Sequence, residues 1–177
     1  LSGELISSSK RLSPDNSPTR EELMTVSIRR LEETDRSRWQ ELFQGYFDFY
    51  EVDVPDNGFD RVWHWMFDAQ NDFWCDLAIE GDGRIIGFVH YQLWHSTLSA
   101  GMACYMADLF VEPADRGSGA GRLLVDNVLA FARDKGLPSV DWLTQDSNYA
   151  GRCLYDTYQP KSDFVFYTVA TGQECDP

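Results

Sequence analysis

Hydrophobic and polar positions along this chain change period several times, and each change marks an element. Thr25-Val26-Ser27-Ile28-Arg29 alternates as a half-buried strand does. Thr34 and Asp35 then offer a helix N-cap, and Trp39, Leu42, Phe43 and Tyr46 recur at the i, i+3, i+4, i+7 spacing of one helical face. An acidic, proline-containing loop follows over residues 50–57, and a second helix is predicted around residues 59–69. Two runs, 74–80 and 84–94, flank Gly81-Asp82-Gly83, a hairpin turn signal. A third strand, 102–111, follows a short turn near Ser99-Ala100-Gly101.

Beyond residue 111 the character shifts. Residues 112–118 read as a loop, Gly119 opens a helix with Leu124, Val128 and Phe131 on one face, and Gly136-Leu137-Pro138 stops it. A strand over 139–144, a short helix over 148–158 and an aromatic strand over 163–169 complete the order β-α-α-β-β-β-α-β-α-β. The expected fold is mixed α/β: a mostly antiparallel sheet with helices on both faces. The strand, crossover helix and strand between 102 and 144 make that one pair parallel.

Residues 1–23 carry six serines and two prolines without an apolar period, so they read as a flexible N-terminal extension or an expression remnant. Met24 is then a plausible native start, with one domain over 24–171 and a tail at 172–177. A length of 177 residues, 43% hydrophobic and 14% aromatic, suits a single globular core without staples. No run approaches the roughly 20 apolar residues that span a bilayer, so the expectation is a soluble, cytoplasmic protein with no membrane partner. The formal charge of −14 argues against nucleic acid, whose phosphates need Lys and Arg. It fits a cationic substrate as well as it fits plain solubility. Cys75, Cys104, Cys153 and Cys175 form no C-x-x-C pattern, and His64, His90 and His95 have no ligand spacing. No metal is expected; packing or substrate contact accounts better for the histidines.

The most informative segment is Asp115-Arg116-Gly117-Ser118-Gly119-Ala120-Gly121-Arg122, between a strand end and a helix start. Unpaired amides at a helix N-terminus, aided by the helix dipole, make an anion site. Glycines let a phosphate approach the backbone, and Arg116 and Arg122 add charge-assisted donors. A flexible helix entry has the same composition, so the loop alone decides little. A P-loop needs G-K-[ST], which is absent, and a dinucleotide fingerprint belongs at the first βα turn, not after an antiparallel meander.

Leu109-Phe110-Val111-Glu112-Pro113 followed by Arg116-Gly117-Ser118-Gly119-Ala120-Gly121 resembles the R-x-x-G-x-G/A signature of the GNAT superfamily of N-acetyltransferases. Trp142-Leu143-Thr144 through Asn148 to Leu154-Tyr155 resembles its second cofactor motif, and the phrasing is similar to the polyamine, amino-acid and histone branch. The resemblance implies a sheet splayed at its parallel pair, with acetyl-CoA in the gap. It places the diphosphate on residues 117–122 and the pantetheine along the backbone of Phe110 and Val111. An amide of Phe110 or a neighbour would polarise the thioester.

The same resemblance makes Tyr155 the acid that protonates the departing thiolate, and Asn148 either a pantetheine contact or a helix cap. An alkylammonium with a pKa of about 10.4 must lose a proton before it attacks. The family's glutamate position is Ala107 here, which leaves Asp108, a water relay or another acidic residue as base. Asp108 could equally anchor the first helices, and strand alternation puts it on the face opposite Ala107. Cys153 has no histidine beside it in the sequence, so direct attack in a ternary complex is preferred to an acyl-cysteine.

Tyr46, Tyr50, Glu51, Trp94 and Trp142 are candidates for an acidic, aromatic pocket that would take a polyamine, diamine or amino acid. Alternatives are a non-catalytic acyl-CoA sensor, an acetyltransferase of protein lysine, or a nucleotide-dependent oxidoreductase. Pairing of the aromatic 163–169 strand across a homodimer is left open.

Overall fold

Strand alternation is realised in β1 (Val26–Arg30), β2 (Phe73–Glu80), β3 (Ile85–Ser96) and β4 (Gly101–Val111). These pair antiparallel in chain order, and β5 (Val140–Asp141) joins β4 in parallel. The computed structural model describes residues 25–158 and 161–169; the expected extension at 1–23 and the tail at 172–177 lie outside them. Contacts divide the chain into two units, with the boundary after Trp142.

In the first unit, both sheet faces are covered. On one, α1 (Arg36–Tyr50) and α2 (Gly58–Phe67) pack their apolar stripes. Trp39, Leu42 and Phe43 are buried against Leu77, Phe88 and Phe110, with Tyr46, Phe59 and Trp63 partly buried around them. On the other face α3 (Ala120–Asp134) buries Leu124, Val125 and Val128, and the Phe131 ring lies 4.9 Å from Tyr91 and 5.0 Å from Trp74. A buried carboxylate ties this face together: Asp76 accepts from the Tyr91 hydroxyl (2.7 Å) and Asn127 Nδ2 (2.6 Å) and pairs with Arg30 Nε (3.2 Å). Burial, opposed by these partners, holds its carboxyl above the ordinary range.

Alternation in β4 breaks at one residue. His90 faces Asp108 while Tyr91 faces Met106, so Ala107 has no partner on β3. This is a β-bulge, and it reverses which face the even-numbered residues of β4 serve. Met106 shares the α3 face with Tyr91; two residues later Asp108 and Phe110 lie with His90 and Phe88 on the α1 face. The alternation read from the sequence, with Ala107 and Asp108 opposed across the strand, is therefore interrupted where it mattered most. Gly87 lets the paired strands close up, since a Cβ there would stand 2.6 Å from the Phe110 carbonyl oxygen.

Three local expectations need correction. Asp35 stands at the N-cap position of α1, but its side chain bonds no amide of that helix. It closes a tight turn, Glu33–Asp35, by accepting from the Glu32 amide (2.8 Å) and from Arg29 (2.6 and 2.8 Å), whose hydrogen bonds keep its carboxyl below the usual range. The strand expected over 139–144 shrinks to two residues, because only Cys104 and Tyr105 of β4 pair with it. Residues 163–169 form no strand: Phe164, Val165, Phe166, Tyr167 and Val169 are exposed, and aromatic content without a ladder partner does not make one.

Candidate active site

The loop between β4 and α3 has the form its glycines predict. Gly117 and Gly119 sit at φ 86° and 89°, the left-handed region that favours glycine. A Cβ at either would meet no protein atom within 4 Å, so the backbone turn requires glycine there and the space beyond is open. The helix begins at Ala120, and the amides of Gly117, Gly119 and Gly121 make no backbone hydrogen bond among the described residues. The Ser118 hydroxyl accepts from the Ala120 amide at 3.4 Å. An open cradle of unclaimed amides at the positive end of a fifteen-residue helix fits a diphosphate.

Ion pairs pin the base of this loop. Arg84 forks onto Asp115 at 2.7 Å to each oxygen and reaches Glu80 at 2.6 Å. Those bonds hold the Asp115 carboxyl below its usual range. Arg38 donates to the Ile85 carbonyl (3.0 Å) and to Glu112. Arg116 turns back on the fold: its Nε donates to the Val111 carbonyl (3.2 Å), and its guanidinium lies 5.6 Å from the Phe49 ring and 5.9 Å from Phe110. Arg122 lies in the first turn of α3.

The register of β4 shows which backbone groups are open. The Glu112 amide bonds the Ile86 carbonyl (2.9 Å), so by alternation Phe110 and Asp108 also face β3 in the ladder. Leu109 and Val111 point to the opposite edge. Beyond Tyr105, β4 has no partner on that edge among the described residues, because β5 ends at Asp141. The family signature implied the backbone of Phe110 and Val111, with an amide of Phe110 or a neighbour at the thioester; on the open edge that neighbour is Leu109, beside Val111.

At the bulge, a chain of polar groups crosses the apolar layer. Trp39 Nε1 donates to His90 Nε2 at 2.9 Å, and His90 Nδ1 lies 2.9 Å from Asp108 Oδ2. His90 and Trp39 are fully buried, while the Asp108 side chain is 21% exposed. Rings of Phe43, Phe73 and Phe88 surround the imidazole at 4.9, 5.5 and 4.6 Å. The Tyr46 phenol is pushed far up, by burial first and then by the charge of Asp108 and hydrogen bonding to it. Tyr46 is thus a permanent donor, and Asp108 is both an anchor for α1 and a carboxylate that reaches solvent. Sequence reasoning had left Trp39 as a buried residue of the helix face and His90 to packing or substrate contact.

The remaining candidates are spread out. The Tyr50 ring lies 4.9 Å from that of Tyr46 and is tilted by 59°, and exposed Glu51 caps α1 in a left-handed conformation (φ 54°). Trp94, 44% exposed, lies further along the His90 face of β3, and Trp142 is half-buried. In the second unit, Asn148 is the N-cap of α4 (Tyr149–Tyr155), accepting from the Gly151 amide (3.0 Å) and donating to Thr144 Oγ1 (2.9 Å). Tyr155 is the last residue of that helix, and Arg152 turns to Asp146 (2.6 Å). Burial pushes the Cys75 thiol well up and that of Cys104 up to about 11, so neither offers a thiolate near neutrality. No group of metal ligands gathers, and no helix is long and apolar enough to cross a membrane, among the described residues.

Comparison with known proteins places this geometry among relatives. Residues 39–157 match the acetyltransferase (GNAT) family. The D-amino-acid N-acetyltransferase of Saccharomyces cerevisiae is 29% identical over 143 residues, covering 80% of this chain and 89% of its own length. The thialysine N-epsilon-acetyltransferase of Caenorhabditis elegans is 30% identical over 104 residues, 59% of each chain. Among solved structures, an aminoglycoside N-acetyltransferase in complex with CoA is similar in fold, with a TM-score of 0.69 and 19% identity over 89% of this chain and 99% of that one.

Proposed function

This chain belongs to the acetyltransferase (GNAT) family, and from that membership we propose that it acetylates the primary amine of a small cationic substrate: a polyamine, a diamine or an amino acid. The observation that carries the proposal is Asp108. It is a partly exposed carboxylate that the bulge delivers to the α1 face, one residue from the open edge of β4. The named relatives act on D-amino acids and thialysine, and a chain of net charge −14 draws cations toward itself.

Acetyl-CoA, when bound, supplies an activated acyl group on a thiolate leaving group. The amides of Gly117, Gly119 and Gly121 hold the diphosphate, with Ser118, Ala120 and Arg122 completing the turn, and Arg116 stiffens the loop from behind. The edge amides of Leu109 and Val111 would hold the pantetheine as an added strand would, and the Leu109 amide would be placed to polarise the thioester carbonyl. Asp108 takes the proton from the ammonium, and Tyr46 keeps that carboxylate in place. Tyr155, the position the family pattern gives to the acid, would supply the proton for the thiolate, and Asn148 sets the start of its helix. Tyr50, Glu51, Trp94 and Trp142 line the path of the amine. Attack is direct, in a ternary complex.

A panel of polyamines, diamines, D- and L-amino acids, an aminoglycoside and a lysine peptide, with acetyl-CoA and a thiol-release readout, tests the reading. Release with a small amine and not with the peptide is the expected result. Tight acetyl-CoA binding without release by any amine would instead identify a non-catalytic sensor. Tyr155→Phe is expected to lower turnover about 100-fold and to leave acetyl-CoA affinity nearly unchanged by calorimetry. Unaltered turnover would remove Tyr155 from the acid role.

A further inference from the structure

We propose that His90 is a positioning residue for Asp108, and that Trp39 sets it in that role by fixing its tautomer. An indole N–H can only donate a hydrogen bond. At 2.9 Å from Trp39 Nε1, the His90 Nε2 atom must therefore be the acceptor and carries no proton. The ring hydrogen is left on Nδ1, which donates to Asp108 Oδ2 at 2.9 Å. The reverse tautomer would set two N–H groups against each other at Nε2 and two acceptors at Nδ1. Full burial within Phe43, Phe73 and Phe88 leaves no other hydrogen-bond partner to relax that conflict.

The consequence is directional. Asp108 occupies the position after a bulge, where strand geometry alone holds a side chain loosely. A donor built into the rigid face of β3 and backed by α1 fixes one of its oxygens. The remaining lone pairs are presented to the amine. His90 touches neither substrate nor cofactor in this scheme; it acts through Asp108. The inference rests on the reading of Asp108 as proton acceptor, and its test separates the two.

Nitrogen-15 NMR of the full chain, with the His90 signals assigned by their loss in His90→Asn, reads the tautomer without any turnover. Protonated Nδ1 and bare Nε2 are expected; protonation at Nε2 overturns the proposal. Kinetics then rank two variants. Asn places an amide donor near the Nδ1 position, whereas Phe fills the aromatic box and offers no donor. Positioning predicts that His90→Phe loses roughly 10- to 100-fold in kcat, the worth of one hydrogen bond to a charged group. KM for acetyl-CoA stays unchanged, and His90→Asn recovers most of kcat. A packing role predicts the reverse order, and either that order or equal turnover in all three proteins overturns the proposal. If instead Asp108→Asn retains full turnover, the assignment of the base fails, whatever the tautomer.

Discussion

Asp108→Asn is expected to lower kcat/KM for the amine by about 100- to 10,000-fold, the usual worth of a placed general base. Acetyl-CoA affinity should not move, because the asparagine stays on the α1 face while Leu109 and Val111 hold the open edge. The loss should shrink as the pH rises toward the ammonium pKa of about 10.4, where solvent delivers free amine unaided. Asn keeps an acceptor for the His90 N–H, so the fold should tolerate the change, and the thermal midpoint reports whether it does. Initial rates across neutral to mildly alkaline pH, alongside titration of acetyl-CoA, make the measurement. Wild-type turnover in the variant would hand the proton to a water relay or another carboxylate.

Gly119→Glu should weaken coenzyme A binding by about 100-fold or more, through loss of charge-assisted contacts at the loop and repulsion between carboxylate and diphosphate. Backbone strain alone does not account for such a drop. A residue with a Cβ at φ 89° costs about 1–2 kcal/mol, and that cost falls on folding. Gly119→Asn separates the two effects, since Asn enters the left-handed region more readily and brings no charge. It should share part of the thermal shift and keep most of the affinity. Calorimetric titration of all three proteins with coenzyme A decides; undiminished binding by the Glu variant would mean the diphosphate lies elsewhere.

Much of this was legible in the chain itself. The stripe Trp39, Leu42, Phe43 and Tyr46 fixed the phase of α1, and Gly81-Asp82-Gly83 marked its hairpin. The loop at 116–121 could be recognised through its context, a Gly-rich turn with flanking arginines between a strand end and a helix start, followed by the second motif at 142–155. The bulge could not be read: residues 102–111 are nearly continuous in apolar character, and a period of two has no phase in such a run. His90 and Trp39 were hidden for a related reason, since each is fifty or so positions from its partner and each is also a natural core residue. The aromatic run at 163–169 misled because propensity states how a segment would pair, not whether anything is there to pair with.

The bulge at Ala107 has a consequence for how this strand can vary over time. Because Ala107 has no partner across the ladder, losing that one codon would flatten the strand and still leave Met106 opposite Tyr91 and Asp108 opposite His90. A deletion can thus be absorbed at this spot without disturbing the pairs on either side. An added residue finds no such slack: it must widen the kink or turn the carboxylate toward α3.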